Sequence, residues 1–190
     1  MLWKKSNWAL FLVKGGFIML ERILETENIM DSINENSDYL FTLIPELNDM
    51  VGFNHKHPHH HLDVWEHTLY ALSLSPVDFE IRLVLLLHDI GKPHCYIEGE
   101  VRNFHGHANK SMEMARIILN RFNYDNTFIE EVCYLIEFHD LPISLKEIGE
   151  NKDLAYKRYI VQYCDSYAHH PDKLEKRVKY LNRVKKYLEI

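Results

Sequence analysis

The sequence is poor in cysteine, and its N-terminal hydrophobic run is short. Its 190 residues include three cysteines, Cys95, Cys133 and Cys164. An odd number of scattered cysteines argues against a disulfide framework and indicates reduced thiols in a cytoplasmic protein. The apolar residues 8–13 are followed by Lys14 and two glycines. This run is too short for a membrane span and lacks the small-residue cleavage site of a signal peptide.

The sequence also lacks an excess of basic residues and any low-complexity linker. The formal net charge of -6 argues against non-specific nucleic-acid binding through a broad basic surface, although it leaves room for a local basic groove. Without a linker or an internal repeat, residues 21–190 are predicted to form a single domain. Residues 1–20 are predicted to be an N-terminal extension, which is either amphipathic or precedes a natural start at Met19.

Apolar residues recur at helical spacing along most of the chain, and no stretch shows the alternation of a strand. Residues 79–88 are apolar nearly all round, which marks a buried central helix. A small turn is expected over residues 96–102, around Gly99. We therefore predict an all-α fold. The predicted helices cover residues 21–33, 39–47, 63–74, 79–88, 111–122, 128–138, 153–168 and 172–188.

The central helix ends on two polar residues, His88 and Asp89, directly after the apolar residues 83–87. Gly91 and Pro93 then stop the helix. Burying polar groups costs roughly 2–7 kcal/mol unless they are paired. A divalent metal would suit both an imidazole and a carboxylate. The alternative is an ordinary helix end with a capping histidine and a solvated aspartate.

Other polar residues occupy positions where the helical pattern demands apolar ones. His67, His139 and Asp165 are predicted to face the core, and His107 opens the helix that begins near Ser111. Each residue alone could be a hydrogen-bonded core residue. Together with the His-Asp pair, these residues can satisfy one another's polar groups only if their side chains converge, and convergence of such a set indicates a metal site. Six protein ligands would overfill one ion, so we predict two ions that share a bridging carboxylate and a water.

Thirteen histidines are many for this length, and five of them lie in one loop, residues 53–61. We expect this loop to form the mouth of a pocket and not a second metal site. His169, one turn after Asp165, is expected at a solvated helix end, with a role beside the metal ligands as the alternative. The loop histidines are His55, His57, His59, His60 and His61.

The ordered set of histidines and aspartates resembles the HD superfamily of metal-dependent phosphohydrolases. The resemblance covers roughly residues 43–188 and implies a helical bundle of about seven to nine helices. Four segments are similar to the HD domain of bacterial tRNA nucleotidyltransferases. They are Asp63-Val-Trp-Glu-His67-Thr-Leu, Leu86-Leu-His-Asp-Ile-Gly-Lys-Pro93, Gly106-His107 and Gln162-Tyr-Cys-Asp165.

The sequence departs from those enzymes in two respects. The pair Gly15-Gly16 is not followed by the paired carboxylates of a nucleotidyltransferase head, so we do not expect the head or CCA addition. His59 stands where relatives often have tyrosine, and His61 where they often have asparagine.

The resemblance implies roles for individual residues. It implies one or two divalent ions as cofactor, from among Fe, Mn, Ni, Co, Mg and Zn. It matches Lys92 to the lysine placed near the substrate phosphate, and Asp89 and Lys92 are the expected catalytic residues. Apart from the resemblance, we expect His60 and His105 to bind substrate together with Lys92. The implied metal ligands are His67, His88, Asp89 and Asp165 in the core set, with His107 and His139 as the additional histidines of two-metal members.

The resulting functional hypothesis is a cytoplasmic hydrolase of nucleotide-like phosphate esters that uses a metal-activated water. Phosphatase, 2′,3′-cyclic phosphodiesterase and dinucleotide polyphosphate hydrolase activities all fit it. The partner would be a small phosphorylated substrate, with RNA as a second candidate and no membrane; the oligomeric state is left open. Two alternatives are a di-iron oxygenase and a non-catalytic RNA-binding remnant of a tRNA-processing enzyme.

Overall fold

The computed structural model describes residues 19–190, so the predicted N-terminal extension lies outside the described residues except for its last two positions. Within the described chain the backbone forms no strand, only two isolated bridges, and the all-α prediction is confirmed. The helices are α1 (residues 19–24), α2 (Ile29–Glu35), α3 (Ser37–Leu43), α4 (Val64–Ser73), α5 (Phe79–Leu87), α6 (His107–Arg121), α7 (Asn126–Glu137), α8 (Leu145–Glu150), α9 (Lys152–Tyr167) and α10 (Leu174–Leu188), with 3₁₀ turns at Pro45–Met50, Lys92–His94 and Pro171–Lys173.

Side-chain caps fix where several of these helices begin. Asp63 accepts a hydrogen bond from the Glu66 amide while the Glu66 side chain returns to the Asp63 amide, a capping box that starts α4. Ser144 and Glu147 form the same box at α8. Such caps satisfy amide donors that have no partner inside the helix, and each stabilises the helix by about 1 kcal/mol.

The prediction of one continuous helix over residues 21–33 is wrong, because the chain breaks between α1 and α2. The buried Arg82 side chain of α5 reaches this break and donates hydrogen bonds to the carbonyls of Leu24, at 2.5 Å, and Thr26, at 2.6 Å. These carbonyls are therefore satisfied by a side chain and not by the next turn of a helix. Similarly, the helix predicted over residues 39–47 ends at Leu43, because Pro45 begins a 3₁₀ turn.

Helix α5 is the centre of the fold. Seven of its nine residues are buried, and α4, α6, α7 and α9 pack around it. A smaller apolar cluster, which includes Tyr159 and Leu181, fixes α10 against α9. None of the helices that the structure describes combines the length and apolar character needed to span a bilayer.

The C-terminal ends of α5, α7 and α9 meet on one side of this core. His88 caps α5, His139 follows α7, and Asp165 lies in the last turn of α9. The C-terminus of a helix carries partial negative charge and stabilises nearby cations. The fold therefore brings three such ends together with polar side chains at one point.

Candidate metal centre

The first group of convergent side chains joins α4, α5 and α9. His67 Nε2 lies 2.9 Å from Asp165 Oδ1, and His88 Nε2 lies 3.7 Å from the same oxygen. Asp89 lies beside the same two histidines. Its Oδ2 is 3.6 Å from His67 Nε2 and 3.2 Å from His88 Nε2. His67, His88 and Asp165 lie close enough together to hold one metal ion, and all three are buried.

The second group lies on the other side of Asp89. Asp89 Oδ1 is 3.4 Å from His107 Nε2 and 3.9 Å from His139 Nε2. His107 Nε2 is also 3.9 Å from Asp140 Oδ2. His107, His139 and Asp140 could hold a second ion. Asp89 thus presents one carboxylate oxygen to each group, which is the arrangement of a bridging ligand.

The four histidines are oriented in the same way. Each ring has its Nδ1 within hydrogen-bond distance of a backbone carbonyl, and because a carbonyl can only accept, Nδ1 carries the proton. In the neutral ring the lone pair is then on Nε2, the atom that faces the aspartates. The pairs are His67 with Ala168 (3.1 Å), His88 with Leu85 (2.7 Å), His107 with Phe104 (3.0 Å) and His139 with Ile136 (2.7 Å).

Two buried atoms at the centre have no hydrogen bond within the described chain, His88 Nε2 and Asp89 Oδ1. In addition, the Nε2 atoms of His107 and His139 are 3.3 Å apart, so two lone pairs face each other. Without a bound cation, such unpaired buried atoms and facing lone pairs are energetically unfavourable. Imidazole and carboxylate are ligands for divalent metals. The donor set therefore fits a metal centre.

The electrostatics of the site require positive charge between the aspartates. Burial opposes protonation of His88, but Asp89 and Asp165 outweigh burial and raise the pKa of His88 to about 10. Burial would raise the pKa of Asp89, yet His88 and Lys92 hold it well below its usual range. At the second group, burial and the neighbouring His88 and His107 lower the pKa of His139 to about 4. The carboxylates thus stay ionised, as metal ligands must.

Lys92 is buried beside the first group. Its Nζ lies 2.6 Å from Asp89 Oδ2 and 3.2 Å from His55 Nε2. His55 donates through Nδ1 to the carbonyl of Leu62, so its Nε2 accepts from the lysine. Burial and the charge of Lys92 lower the pKa of His55 to about 2. One loop histidine therefore orients the lysine and stays neutral.

A cavity of about 510 Å³ opens over both groups. Lys92, His60 and His105, the residues expected to bind substrate, all line it, as do Arg102 and Arg177. His60 stacks on His55 with 3.7 Å between ring centroids. His105 is exposed. The histidine-rich loop thus forms a wall of the pocket, and the roles of these residues in binding remain a prediction.

The structure adds residues that the sequence reasoning missed. Asp140 belongs to the second group, and the signal for it was the dipeptide His139-Asp140, which repeats His88-Asp89 after another apolar helix. Arg177 reaches the cavity from α10. The expectation that His169 lies at a solvated helix end is wrong. The loop covers it, with the His60 and His169 ring centroids 4.4 Å apart, and it is 5% exposed.

A buried arginine holds the turn that carries His139 and Asp140. Arg158 of α9 donates to the carbonyls of Phe138 and Leu141, both at 2.8 Å. Its guanidinium also pairs with Glu147 of α8. The carbonyls on both sides of the His-Asp dipeptide are therefore fixed by one side chain. Arg158 positions the second group without taking part in it.

Gly91 brings the helix of His107 against the end of α5. A Cβ at Gly91 would lie 2.6 Å from the Ser111 amide nitrogen and 2.9 Å from the His107 carbonyl oxygen. The Gly91 amide donates to Ser111 Oγ at 2.9 Å. A residue without a side chain is thus required for α6 to place His107 beside Asp89.

Comparisons with known proteins show the family of this chain. The family model described as the HD domain matches residues 59–184, which include all six predicted ligands. The chain belongs to the HD domain family. It is 38% identical over 113 residues to a CC-adding tRNA nucleotidyltransferase of Thermus thermophilus, a match that covers 55% of this chain and 26% of that protein. It is 32% identical over 126 residues to an A-adding tRNA nucleotidyltransferase of Deinococcus radiodurans, covering 62% of this chain and 29% of that protein. The chain therefore spans less than a third of the length of these curated relatives.

Proposed function

We propose that this HD domain hydrolyses phosphate esters of nucleotide-like substrates at a two-metal centre. The observation that carries the proposal is the position of Asp89 between two groups of histidine Nε2 atoms, with Lys92 on the same carboxylate. In this proposal His67, His88 and Asp165 would hold one ion and His107, His139 and Asp140 the other, with Asp89 offering one carboxylate oxygen to each group. Bound divalent ions supply Lewis acidity at the phosphoryl group and acidify water.

The protein's own residues would prepare the site for this reaction. Asp89 is held as a carboxylate, so it can bind ions with both oxygens. Lys92 carries a positive charge into the cavity and would stabilise negative charge that develops on the phosphoryl oxygens. The carbonyl contacts of the four histidines fix their rings before substrate arrives. Such preorganisation avoids reorientation during the reaction.

The cavity lining supports an anionic, nucleotide-like substrate. Three cationic side chains, Lys92, Arg102 and Arg177, line it. Phe104 and Phe138 also line it, and aromatic faces stack on bases. Both relatives are tRNA nucleotidyltransferases, which favours a nucleotide or an RNA end as the substrate. Phosphatase and 2′,3′-cyclic phosphodiesterase activity are the two reactions that we expect first.

The proposal is tested with metal-stripped protein reloaded with Mn²⁺, Fe²⁺, Co²⁺, Ni²⁺, Zn²⁺ or Mg²⁺. Substrates are nucleoside 2′-, 3′- and 5′-monophosphates, 2′,3′-cyclic nucleotides and dinucleoside polyphosphates. We expect hydrolysis of at least one class, lost in Asp89→Asn and retained in Asp38→Asn, an exposed aspartate on α3. No hydrolysis with any combination of metal and substrate contradicts the proposal. Oxygen uptake by the iron-loaded protein would instead favour an oxygenase.

A further inference from the structure

We propose that the cavity has a second lobe that binds a further phosphate group of the substrate, held by Lys176 and Arg177. This inference rests on the proposed function and narrows its substrate class. The lobe has a volume of about 240 Å³. The second lobe would favour nucleotides that carry a phosphate in addition to the one that is hydrolysed. This additional phosphate would belong to a polyphosphate chain or to the next linkage of an oligonucleotide.

The second lobe adjoins the main cavity, because five residues line both spaces. The two spaces share one wall, beyond which the second lobe extends between α9 and α10. A ligand at the candidate metal centre can therefore continue into the second lobe without leaving the protein surface. The shared residues are His139, Asp140, Leu141, Asp165 and Arg177.

Arg177 stands where the two spaces meet. Its Nη1 lies 3.6 Å from Asp165 Oδ2 and 3.5 Å from Ser166 Oγ. Both distances are long for contacts of a guanidinium, which has five N–H donors in a fixed fork. Most of its donors therefore remain available. A phosphate oxygen is the acceptor that such a fork binds in bidentate fashion.

Lys176 adds a second cation at the outer wall. It is exposed and makes no ion pair within residues 19–190, whereas the nearby Lys179 pairs with Glu175 at 2.5 Å. One turn further along α10, the Tyr180 hydroxyl accepts from the Ile143 amide and donates to Gln162, both at 2.8 Å. These bonds make the wall beside Lys176 rigid.

The charge of the lobe depends on the metal centre. Its two carboxylates, Asp140 and Asp165, each belong to one of the candidate metal groups. Ions at those groups would neutralise them. Lys176 and Arg177 would then leave the lobe positively charged and matched to a second phosphate.

The test compares the affinities of ligands that differ by one phosphate. The ligands are analogues of adenosine 3′-monophosphate and 3′,5′-bisphosphate, and of AMP and ADP, in which methylene groups replace the ester and anhydride oxygens so that they are not hydrolysed. Each pair is compared by calorimetry on the metal-loaded protein. We expect the ligand with the additional phosphate in at least one pair to bind about tenfold tighter, the size of a charge-assisted contact. Preference in the first pair indicates the spacing of an oligonucleotide, and preference in the second indicates adjacent phosphates.

Two variants test whether the second lobe causes the tighter binding of ligands with an additional phosphate. Lys176→Ala is expected to lower the affinity ratio within the preferred pair from about tenfold to about threefold, because Arg177 remains in the lobe. Lys186→Ala, the same change in charge at an exposed position of α10, is expected to keep the wild-type ratio. A wild-type ratio near one in both pairs, or an unchanged ratio in Lys176→Ala, overturns the second lobe.

The second lobe and the proposed function can fail separately. Phosphate release without any preference for the additional phosphate refutes the lobe and leaves the hydrolase in place. A preference that Lys176→Ala lowers, in a protein that releases no phosphate, supports the lobe and refutes hydrolysis.

Discussion

The Nε2 atoms of His107 and His139 lie 3.3 Å apart, and each ring has already used its Nδ1–H on a carbonyl three residues earlier. Neither nitrogen can therefore donate to the other while the rings are neutral. The pKa of each is lowered, chiefly by burial, so protonation does not relieve the contact near neutral pH. A cation bound by both Nε2 atoms would relieve the contact.

Metal stoichiometry tests this relationship. Wild-type protein is expected to bind two equivalents of Mn²⁺ or Fe²⁺, and His107→Ala one, because His67, His88 and Asp165 form a complete group without it. Titration of metal-stripped protein gives both numbers. His105→Ala is the matched control, since this exposed histidine lies two residues away and outside the metal groups. Saturation of the wild type at one equivalent would contradict the two-metal centre.

Lys92 is expected to affect turnover more than metal binding. Lys92→Ala should retain bound metal and lower kcat by about 10²–10³, the usual effect of removing one donor that stabilises developing charge. The measurement is steady-state kinetics together with elemental analysis of the same sample. Lys146→Ala, on the surface of α8, should leave both unchanged. A wild-type kcat in Lys92→Ala would show that Lys92 pairs with Asp89 without assisting turnover.

Gly91→Ala is expected to destabilise the fold by about 1–3 kcal/mol, because the new methyl group meets backbone atoms of α6 that cannot rotate away. The displacement of α6 should also weaken binding of the second ion through His107. Urea unfolding and metal titration measure the two effects. Gly149→Ala serves as control, since nothing lies within 4 Å of a Cβ there. Equal stability of the two variants would show that α6 adapts freely.

Glu147 is predicted to make stability depend on pH. Burial would raise its pKa, but hydrogen bonds from Ser144 and the charge of Arg158 outweigh burial and lower it from 4.5. A depressed carboxyl pKa stabilises the folded state above the unfolded value, and this contribution is lost as pH falls through the lower, folded value. Glu147→Gln should therefore be less stable than wild type at pH 7, with a difference that shrinks below pH 4.5.

Urea midpoints at pH 7, 5, 4 and 3.5 measure this difference. Glu150→Gln, on the same helix but without a contact to Arg158, is the control. A difference between wild type and Glu147→Gln that stays constant down to pH 3.5 would exclude the proposed linkage.

The sequence was sufficient to predict much of the site because its polar residues interrupt apolar helical stripes. His67, His139 and Asp165 were expected to face the core on this basis, and the structure brings them together with His88 and Asp89. Their role as ligands remains a prediction. Asp140 was missed because it lies on the turn after α7, where a carboxylate is normally solvated.

Interactions between residues far apart in sequence could not be predicted. The break between α1 and α2 depends on Arg82, 58 residues after Leu24. A basic residue on an amphipathic helix normally faces solvent, but Arg158 is buried and its carbonyl partners lie on another segment. His169 is buried against His60 of the histidine-rich loop and His67 of α4, both far from it in sequence. Local periodicity contains no information on such contacts.

The carbonyl contacts of the four histidines have a thermodynamic consequence. They hold the rings in place by bonds to the backbone, so the site is formed by folding itself and is absent from the unfolded chain. An ion that binds only the folded state stabilises it by mass action, by about 2.7 kcal/mol at a free concentration one hundred times the dissociation constant. The melting temperature of this protein should therefore rise with the logarithm of free metal concentration, without a change in helix content.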